Sequence, residues 1–309
     1  MKKILLRIGS ILFLCLLLIN PTLSIEGAKT GLLFWFNTII PTLLPFMIGS
    51  NLIVAMGATK YLTFFLSKIL NRIGNISENG CYAVLIGLLC GCPMGAKTSA
   101  DMVVNGDLRK VEGQYLLAFS NHVSPMFLVG FVLSAIQGAH KTFFLLSYYI
   151  PVLPIMFAAK KYYHIEKPEV TTKRTLITAT EQRKKRDVLD KSMTSAFEVI
   201  VKIGGHIILF SIFEAYFAQL PMSNLLLKSL IIGSIEITSG IVSIGNTYPG
   251  SILGELLAVT VSAFGGFSSL AQTKSVISEA GLSVIDYFMW KGLHGLLAAG
   301  CFLFFLKFL

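Results

Sequence analysis

The sequence has 309 residues, of which 54% are hydrophobic and 14% are charged, and its mean hydropathy is +0.73. Several apolar stretches reach the length of about 20 residues that crosses a bilayer, so the composition excludes a soluble domain. It predicts an all-α polytopic membrane protein. The net charge of +10 is concentrated in loops, which indicates insertion topology and contact with anionic lipid headgroups rather than nucleic-acid binding.

The first predicted element is an N-terminal helix within residues 1–30. Lys2, Lys3 and Arg7 precede the apolar run IGSILFLCLLLI, a pattern that resembles a secretory signal peptide. The sequence after this run offers only a weak cleavage site. We therefore expect an uncleaved signal-anchor helix with its basic end in the cytoplasm.

The first half of the protein is predicted at residues 31–160 and contains a re-entrant hairpin at about 81–105. The first apolar arm of this hairpin is about ten residues long, which at helical rise covers only about half of a bilayer. Pro93 and Gly95 form its turn. Since a hairpin at membrane depth needs protein or a water-filled cavity around it, we expect this one inside the protein.

A broken transmembrane helix follows the hairpin at residues 112–136. It is interrupted at Asn121–Pro125, where Pro125 removes a backbone donor in the middle of an apolar segment. Broken apolar segments that carry polar residues at membrane depth are typical of substrate sites in transporters. A further span is predicted at residues 141–159.

Residues 161–191 form a basic stretch, which we interpret as a cytoplasmic linker, and the second half follows at residues 192–309. This half repeats the pattern of the first, with a re-entrant hairpin at about 225–245 and a broken helix at 252–273. The second hairpin turns at Glu236–Gly240, and the second broken helix is interrupted at Gly265–Ser269.

A shift of 145 residues aligns the two halves, since it places Gly95 on Gly240 and Ser124 on Ser269. With the basic linker in the cytoplasm, Arg72, Arg109 and Lys274 also fall on the cytoplasmic side, as the positive-inside rule requires. The first hairpin then enters from the cytoplasm and the second from outside. The two halves are therefore predicted to have inverted topology.

Polar residues at the two turns and the two breaks are the candidate substrate-binding residues: Lys97, Thr98, Ser99, Asn121, His122, Ser124, Glu236, Thr238, Ser239, Ser268, Ser269 and Gln272.

Each group has an alternative role. Lys97 pairs with an anionic substrate or extends to the cytoplasmic face. Asn121, His122 and Ser124 contact substrate or satisfy the broken backbone, and His122 is also a candidate proton relay. Glu236 binds a coupling cation, a proton or a substrate donor, or forms a salt bridge with Lys97 or Lys202.

Enzymatic chemistry has little support in the sequence. GCPMGAKTS lacks the spacing of a phosphate-binding loop, and Cys90 and Cys92 have no second Cys/His pair nearby with which to hold a metal. No nucleophile–base pair stands out either. We expect no enzymatic activity, no cofactor and no bound metal.

Four motifs, GCPMGAKTSADMV, FSNHVSPMFLVGFV, GSIEITSGI and SAFGGFSSLAQ, resemble those of the nucleoside-recognition, or Gate-domain, membrane proteins, with the greatest likeness to those of sporulation. The resemblance covers about residues 30–309. It implies a fold similar to concentrative nucleoside transporters, with two hairpins and two unwound helices around a central site. It places the hairpin tips at 92–99 and 236–240 and the unwound segments at 121–125 and 265–269.

The resemblance implies movement of dipicolinic acid across the outer forespore membrane during sporulation. Dipicolinate carries two carboxylates, which suit Lys97, serine hydroxyls and helix N-termini. A nucleoside suits Asn121, Gln272 and Glu236. A nucleoside or ion transporter of the same fold, and a spore-envelope assembly protein without transport, are the alternatives. The chain lacks the extra N-terminal helices of full nucleoside transporters, so homo-oligomerisation is left open.

The distribution of basic residues generates a prediction of topology. In a variant without native cysteines, a single cysteine at Asn246 should react with an impermeant thiol reagent on intact cells, whereas one at Lys173 should react only after lysis. Labelling of position 173 but not 246 on intact cells would contradict the predicted orientation.

Overall fold

A computed structural model describes residues 2–56, 58–138, 140–166 and 185–308. Most of the predicted linker at 161–191 lies outside the described residues. Within the described residues, all regular elements are helical. In this part of the chain, five helices are long and apolar enough to cross a membrane, or up to seven if each of two bent helix pairs is one span. The predicted class, an all-α polytopic membrane protein, is confirmed.

Seventeen α-helices are assigned in the described ranges: α1 (Lys2–Ile19), α2 (Pro21–Phe34), α3 (Ile40–Ala55), α4 (Thr59–Gly74), α5 (Glu78–Cys90), α6 (Met94–Val104), α7 (Lys110–Ser120), α8 (Pro125–Phe127), α9 (Leu133–Ala135), α10 (Lys141–Tyr149), α11 (Val152–Tyr162), α12 (Lys185–Ala218), α13 (Leu225–Ile235), α14 (Ile237–Thr247), α15 (Ile252–Phe264), α16 (Gly266–Ile277) and α17 (Val284–Phe305). Two π-helical segments, Trp35–Ile39 and Leu128–Val132, join α2 to α3 and α8 to α9.

A sharp bend follows the N-terminal helix. α1 ends at Ile19, and the chain bends by 105° before the next helix. Asn20 begins that helix, because its side-chain oxygen accepts a hydrogen bond from Leu23 N at 3.1 Å and Pro21 occupies the first helical position. A proline is favourable there because the first turn needs no intrahelical N–H donor.

The continuous helix formed by α2, its π-helical segment and α3 packs antiparallel to α12. A methyl group on Gly27 would lie 2.9 Å from Ile212 Cα, and one on Gly31 would lie 2.8 Å from Ile208 Cα. Trp35 Nε1 donates to Ile200 O at 2.9 Å. Gly27 and Gly31 thus allow the two helix backbones to approach closely, as small residues do between other membrane helices.

The first hairpin consists of α5 and α6, which meet at Gly91–Pro93. The 13 residues of α5 extend about 20 Å, which is less than the hydrocarbon core of about 30 Å. A methyl group added to Gly87 would lie 1.8 Å from Ser120 O, and one added to Gly95 would lie 2.3 Å from the same oxygen. The hairpin therefore packs directly against the end of α7.

The second hairpin consists of α13 and α14, which meet at Glu236. A methyl group on Gly240 would lie 2.2 Å from Gly233 Cα, so these glycines allow the two arms to touch. Each arm has 11 residues and reaches about half-way across a bilayer.

The two broken helices are interrupted at the predicted positions but in different ways. The first leaves helical geometry between Ser120 and Pro125, and Ser124 Oγ begins the next segment by accepting from Phe127 N at 3.2 Å. The second break is shorter than predicted, because Gly265 and Gly266, with φ of +86° and +77°, interrupt the helix at one point and α16 begins at once. Ser268 and Ser269 therefore lie in α16 rather than in an unwound segment.

The end of each broken helix contacts the other half. Near the end of the first, Gly250 N donates to Ile136 O at 3.0 Å. At the end of the second, Ser283 N donates to Gln114 Oε1 at 2.6 Å, and Gln114 Nε2 donates to Ser283 O at 3.1 Å. This exchange of contacts is the pattern expected of two halves in opposite orientation.

The close contact of Gly87 with Ser120 O generates a prediction about stability. Gly87→Ala should lower the free energy of unfolding by about 1–3 kcal/mol, because a packed region has no room for the added methyl group. Gly292→Ala is the matched control, because a methyl group on that helical glycine has no atom within 4 Å. Thermal-unfolding midpoints of the purified proteins in detergent measure the difference, and equal midpoints would contradict the packing.

Candidate functional site

A cavity lies where the two hairpin tips and the two helix breaks meet. The cavity and its opening hold about 690 Å³. Its polar wall residues are Cys92, Ser124, Glu236, Thr238, Ser269, Gln272, Tyr287 and Lys291. Its apolar wall comes largely from α2, α3 and α12 and from residues beside the first break and the second hairpin tip, and includes Phe34, Ile39, Leu43, Val123, Phe127, Ile203, Ile207 and Ile237.

Five of the twelve residues predicted from the sequence line this cavity: Ser124, Glu236, Thr238, Ser269 and Gln272. Ser124 is the last residue of the first break, and Ser269 lies one turn after the second. Both halves of the repeat therefore contribute to one cavity.

Each hairpin tip covers the break of its own half. In the first half, Cys92 N donates to His122 O at 2.5 Å, and Ala96 N donates to Asn121 Oδ1 at 3.3 Å. In the second half, a methyl group on Gly266 would lie 3.3 Å from both Gly233 O and Ser234 O. The tips thus supply contacts to backbone that has left helical geometry.

Asn121 lies behind the cavity wall and joins the two halves. Its amide nitrogen donates to Thr273 Oγ1 at 3.0 Å and to Tyr287 OH at 2.9 Å. These contacts orient Tyr287, which is itself part of the wall. In this geometry Asn121 positions neighbouring groups, and direct contact of Asn121 with a substrate stays a prediction.

His122 is also buried outside the wall. Its ring centroid is 5.0 Å from that of His294 and 6.1 Å from that of Tyr148. The next residue, Val123, donates its N–H to Tyr148 OH at 2.8 Å. His122 is therefore not part of the cavity wall, and its roles in substrate contact and proton relay stay predictions.

Lys97 forms an ion pair with Asp101 on the next turn of α6. Thr98 and Ser99 are buried on the same helix, and Ser99 Oγ donates to Gly95 O at 2.9 Å. None of the three belongs to the cavity wall. The structure does not bring these three side chains together with the residues that line the cavity. Their contact with substrate stays a prediction.

Glu236 caps the N-terminus of α14. Its Oε2 accepts from Thr238 N at 2.8 Å and from Ser239 N at 2.9 Å, and also from the hydroxyls of Thr238 and Ser239. Neither salt bridge considered from the sequence, to Lys97 or Lys202, is present among the described residues. In the second broken helix, Gln272 Nε2 donates to Ser268 Oγ at 3.1 Å, which places Ser268 just behind the wall.

Sequence reasoning missed the contribution of α17 to this site. Tyr287 and Lys291 line the cavity, and His294 is buried on the same helix. Their spacing of four and three residues places them on one face. A lysine inside the last apolar span was the available indication, because an ionisable residue at membrane depth is costly and usually has a function.

No family model matches the chain, and no solved structure matches it. Among curated proteins, the chain is 27% identical over 313 residues to the sporulation integral membrane protein YlbJ of Bacillus subtilis (strain 168). The alignment covers 91% of this chain and 77% of YlbJ. This comparison confirms the likeness to sporulation membrane proteins that the four motifs indicated. The chain is a multi-pass membrane protein that is similar over most of its length to one of them.

Proposed function

We propose that this protein transports a small anionic metabolite, most simply dipicolinic acid, across the outer forespore membrane by alternating access of its two halves. The observation that carries the proposal is the shared cavity, because its wall combines both helix breaks and both hairpins. A central site between inverted repeats with discontinuous helices is characteristic of secondary transporters.

The contacts at the ends of the broken helices support alternating access. On one side of the cavity, Gln114 of the first half pairs with Ser283 of the second. On the other side, Glu255 contacts His140 N and Nδ1 at 3.2 and 3.0 Å. Each set joins one half to the other. Opening one set while the other stays closed would expose the cavity to one side of the membrane at a time.

The chemistry of the wall supports a substrate with a flat apolar body and few polar groups. Phe34, Phe127 and several isoleucines surround a small set of polar side chains, which is the usual composition of a small-molecule site. Dipicolinate has an aromatic ring and two carboxylates. The likeness to YlbJ, a protein named for sporulation, supports a role in spore formation.

A nucleoside is the second candidate substrate of the same transporter. Gln272 and Glu236 on the cavity wall offer an amide and a carboxylate, which suit the hydrogen-bonding edge of a base. On this proposal the protein is not an enzyme, since the cavity binds its substrate without changing it.

Uptake by the purified protein in liposomes tests the function. We expect saturable uptake of radiolabelled dipicolinate that exceeds uptake into protein-free liposomes, and competition by excess unlabelled dipicolinate. Uptake of a labelled nucleoside instead would select the second candidate. Uptake of neither would contradict transport and favour a non-transporting role in assembly of the spore envelope.

A pair of glutamine variants tests whether the cavity is the route. Gln272→Leu should reduce uptake about tenfold or more, because it replaces a polar group of the wall with an apolar one. Gln219→Leu is the matched control, since Gln219 is exposed after the end of α12. Equal uptake by both variants, at equal protein content of the liposomes, would exclude this wall from the route.

A further inference from the structure

Lys291 is a buried cation on the wall of the central cavity. It lies in α17, is 2% exposed and belongs to the cavity lining. A methyl group on Gly265 would lie 3.5 Å from Lys291 Cε, so the lysine side chain passes beside the second helix break. Its position therefore joins the last span to the centre of the site.

Lys291 has no partner of opposite charge in the part of the chain that the structure describes. The ion pairs there are Lys97–Asp101 and His140–Glu255, and neither includes Lys291. A buried ammonium at membrane depth is costly unless it is paired. The open side of Lys291 is the cavity, so a ligand that occupies the cavity is placed to supply the missing charge.

Glu236 lines the same cavity but is engaged elsewhere. Four donors, two backbone and two hydroxyl, converge on its Oε2 at the start of α14. The N-terminus of a helix stabilises a carboxylate through its unpaired N–H groups and its dipole. Glu236 thus has hydrogen-bond donors on its own helix, whereas no described residue of opposite charge pairs with Lys291.

We propose that Lys291 is the anion-binding group of the cavity and restricts it to small carboxylates. This inference rests on the proposed function and deepens it, because it names the charged group that selects the substrate. One carboxylate of the ligand accepts hydrogen bonds from the Lys291 ammonium. Ser124 contributes a second donor, since its oxygen accepts from Phe127 N and, among the described residues, its hydroxyl donates to no other group.

A carboxylate fits this wall better than a phosphate. Among the described residues that line the cavity, Lys291 is the cationic one, and arginine is absent. Phosphate sites normally combine several donors, often including a bidentate arginine or a series of backbone N–H groups. A single ammonium beside hydroxyls and an apolar surface matches a carboxylate attached to a ring.

Binding to the purified protein in detergent tests the proposal by isothermal titration calorimetry. The probes are pyridine-2,6-dicarboxylate, the uncharged pyridine-2,6-dicarboxamide and inorganic phosphate. The unmodified protein should bind the dicarboxylate about 10- to 100-fold more tightly than the dicarboxamide, the range expected for a hydrogen bond to a charged group. Phosphate should not compete at the same concentration.

Three variants locate the effect. Lys291→Met should lose the preference for the dicarboxylate, and Lys291→Arg should retain most of it because the charge is kept. Lys274→Met is the matched control, since Lys274 is exposed in the last turn of α16 and lies outside the cavity wall. It should bind as the unmodified protein does.

The outcomes separate this inference from the proposed function. Unchanged dicarboxylate preference in Lys291→Met would overturn the role of Lys291 while leaving transport intact. Equal binding of dicarboxylate and dicarboxamide by the unmodified protein would overturn it without any variant, even if Lys291→Met fails to fold. Tighter binding of phosphate would overturn the carboxylate assignment. Absence of uptake of every substrate by the unmodified protein in liposomes would instead overturn the proposed function.

Discussion

The structure depends on how backbone groups are satisfied where helices stop inside the membrane. Hydrocarbon offers no hydrogen-bonding partner, so each break must be covered by protein or open to a cavity. In the first half, the hairpin tip covers part of the break, since its backbone N–H groups donate to His122 O and Asn121 Oδ1. The end of the same break, at Ser124, faces the cavity. The second half achieves the same with two glycines and a shorter break.

Glycine contacts make this arrangement possible. Gly87 and Gly95 allow the first hairpin to approach Ser120 O, and Gly240 lies directly against Gly233 in the second. A larger side chain at Gly87 or Gly95 would separate the first hairpin from the first break, and one at Gly240 would separate the two arms of the second hairpin. The polar wall of the cavity therefore depends on these glycines, which have no polar side chain. Their close contacts determine how near the two hairpins come to the centre.

Much of this organisation could be predicted from the sequence, because it is encoded locally. The hairpin turns follow from Pro93, Gly95 and the polar run at Glu236, and the first break follows from Pro125. The length of the second break could not be predicted, since it depends on the positive φ of Gly265 and Gly266. The pairing of Lys97 with Asp101 was available from their spacing, whereas the cavity position of Lys291 depends on how α17 packs in three dimensions.

The short hairpin arms also bear on how the protein is made. An arm of 11 or 13 residues is shorter than the stretch of about 20 apolar residues that inserts across a bilayer as an independent span. The arms of α5, α6, α13 and α14 gain stable surroundings only when the neighbouring spans have assembled. We therefore expect membrane integration of the long spans to precede the entry of both hairpins, so that the centre of the molecule is completed last during biogenesis.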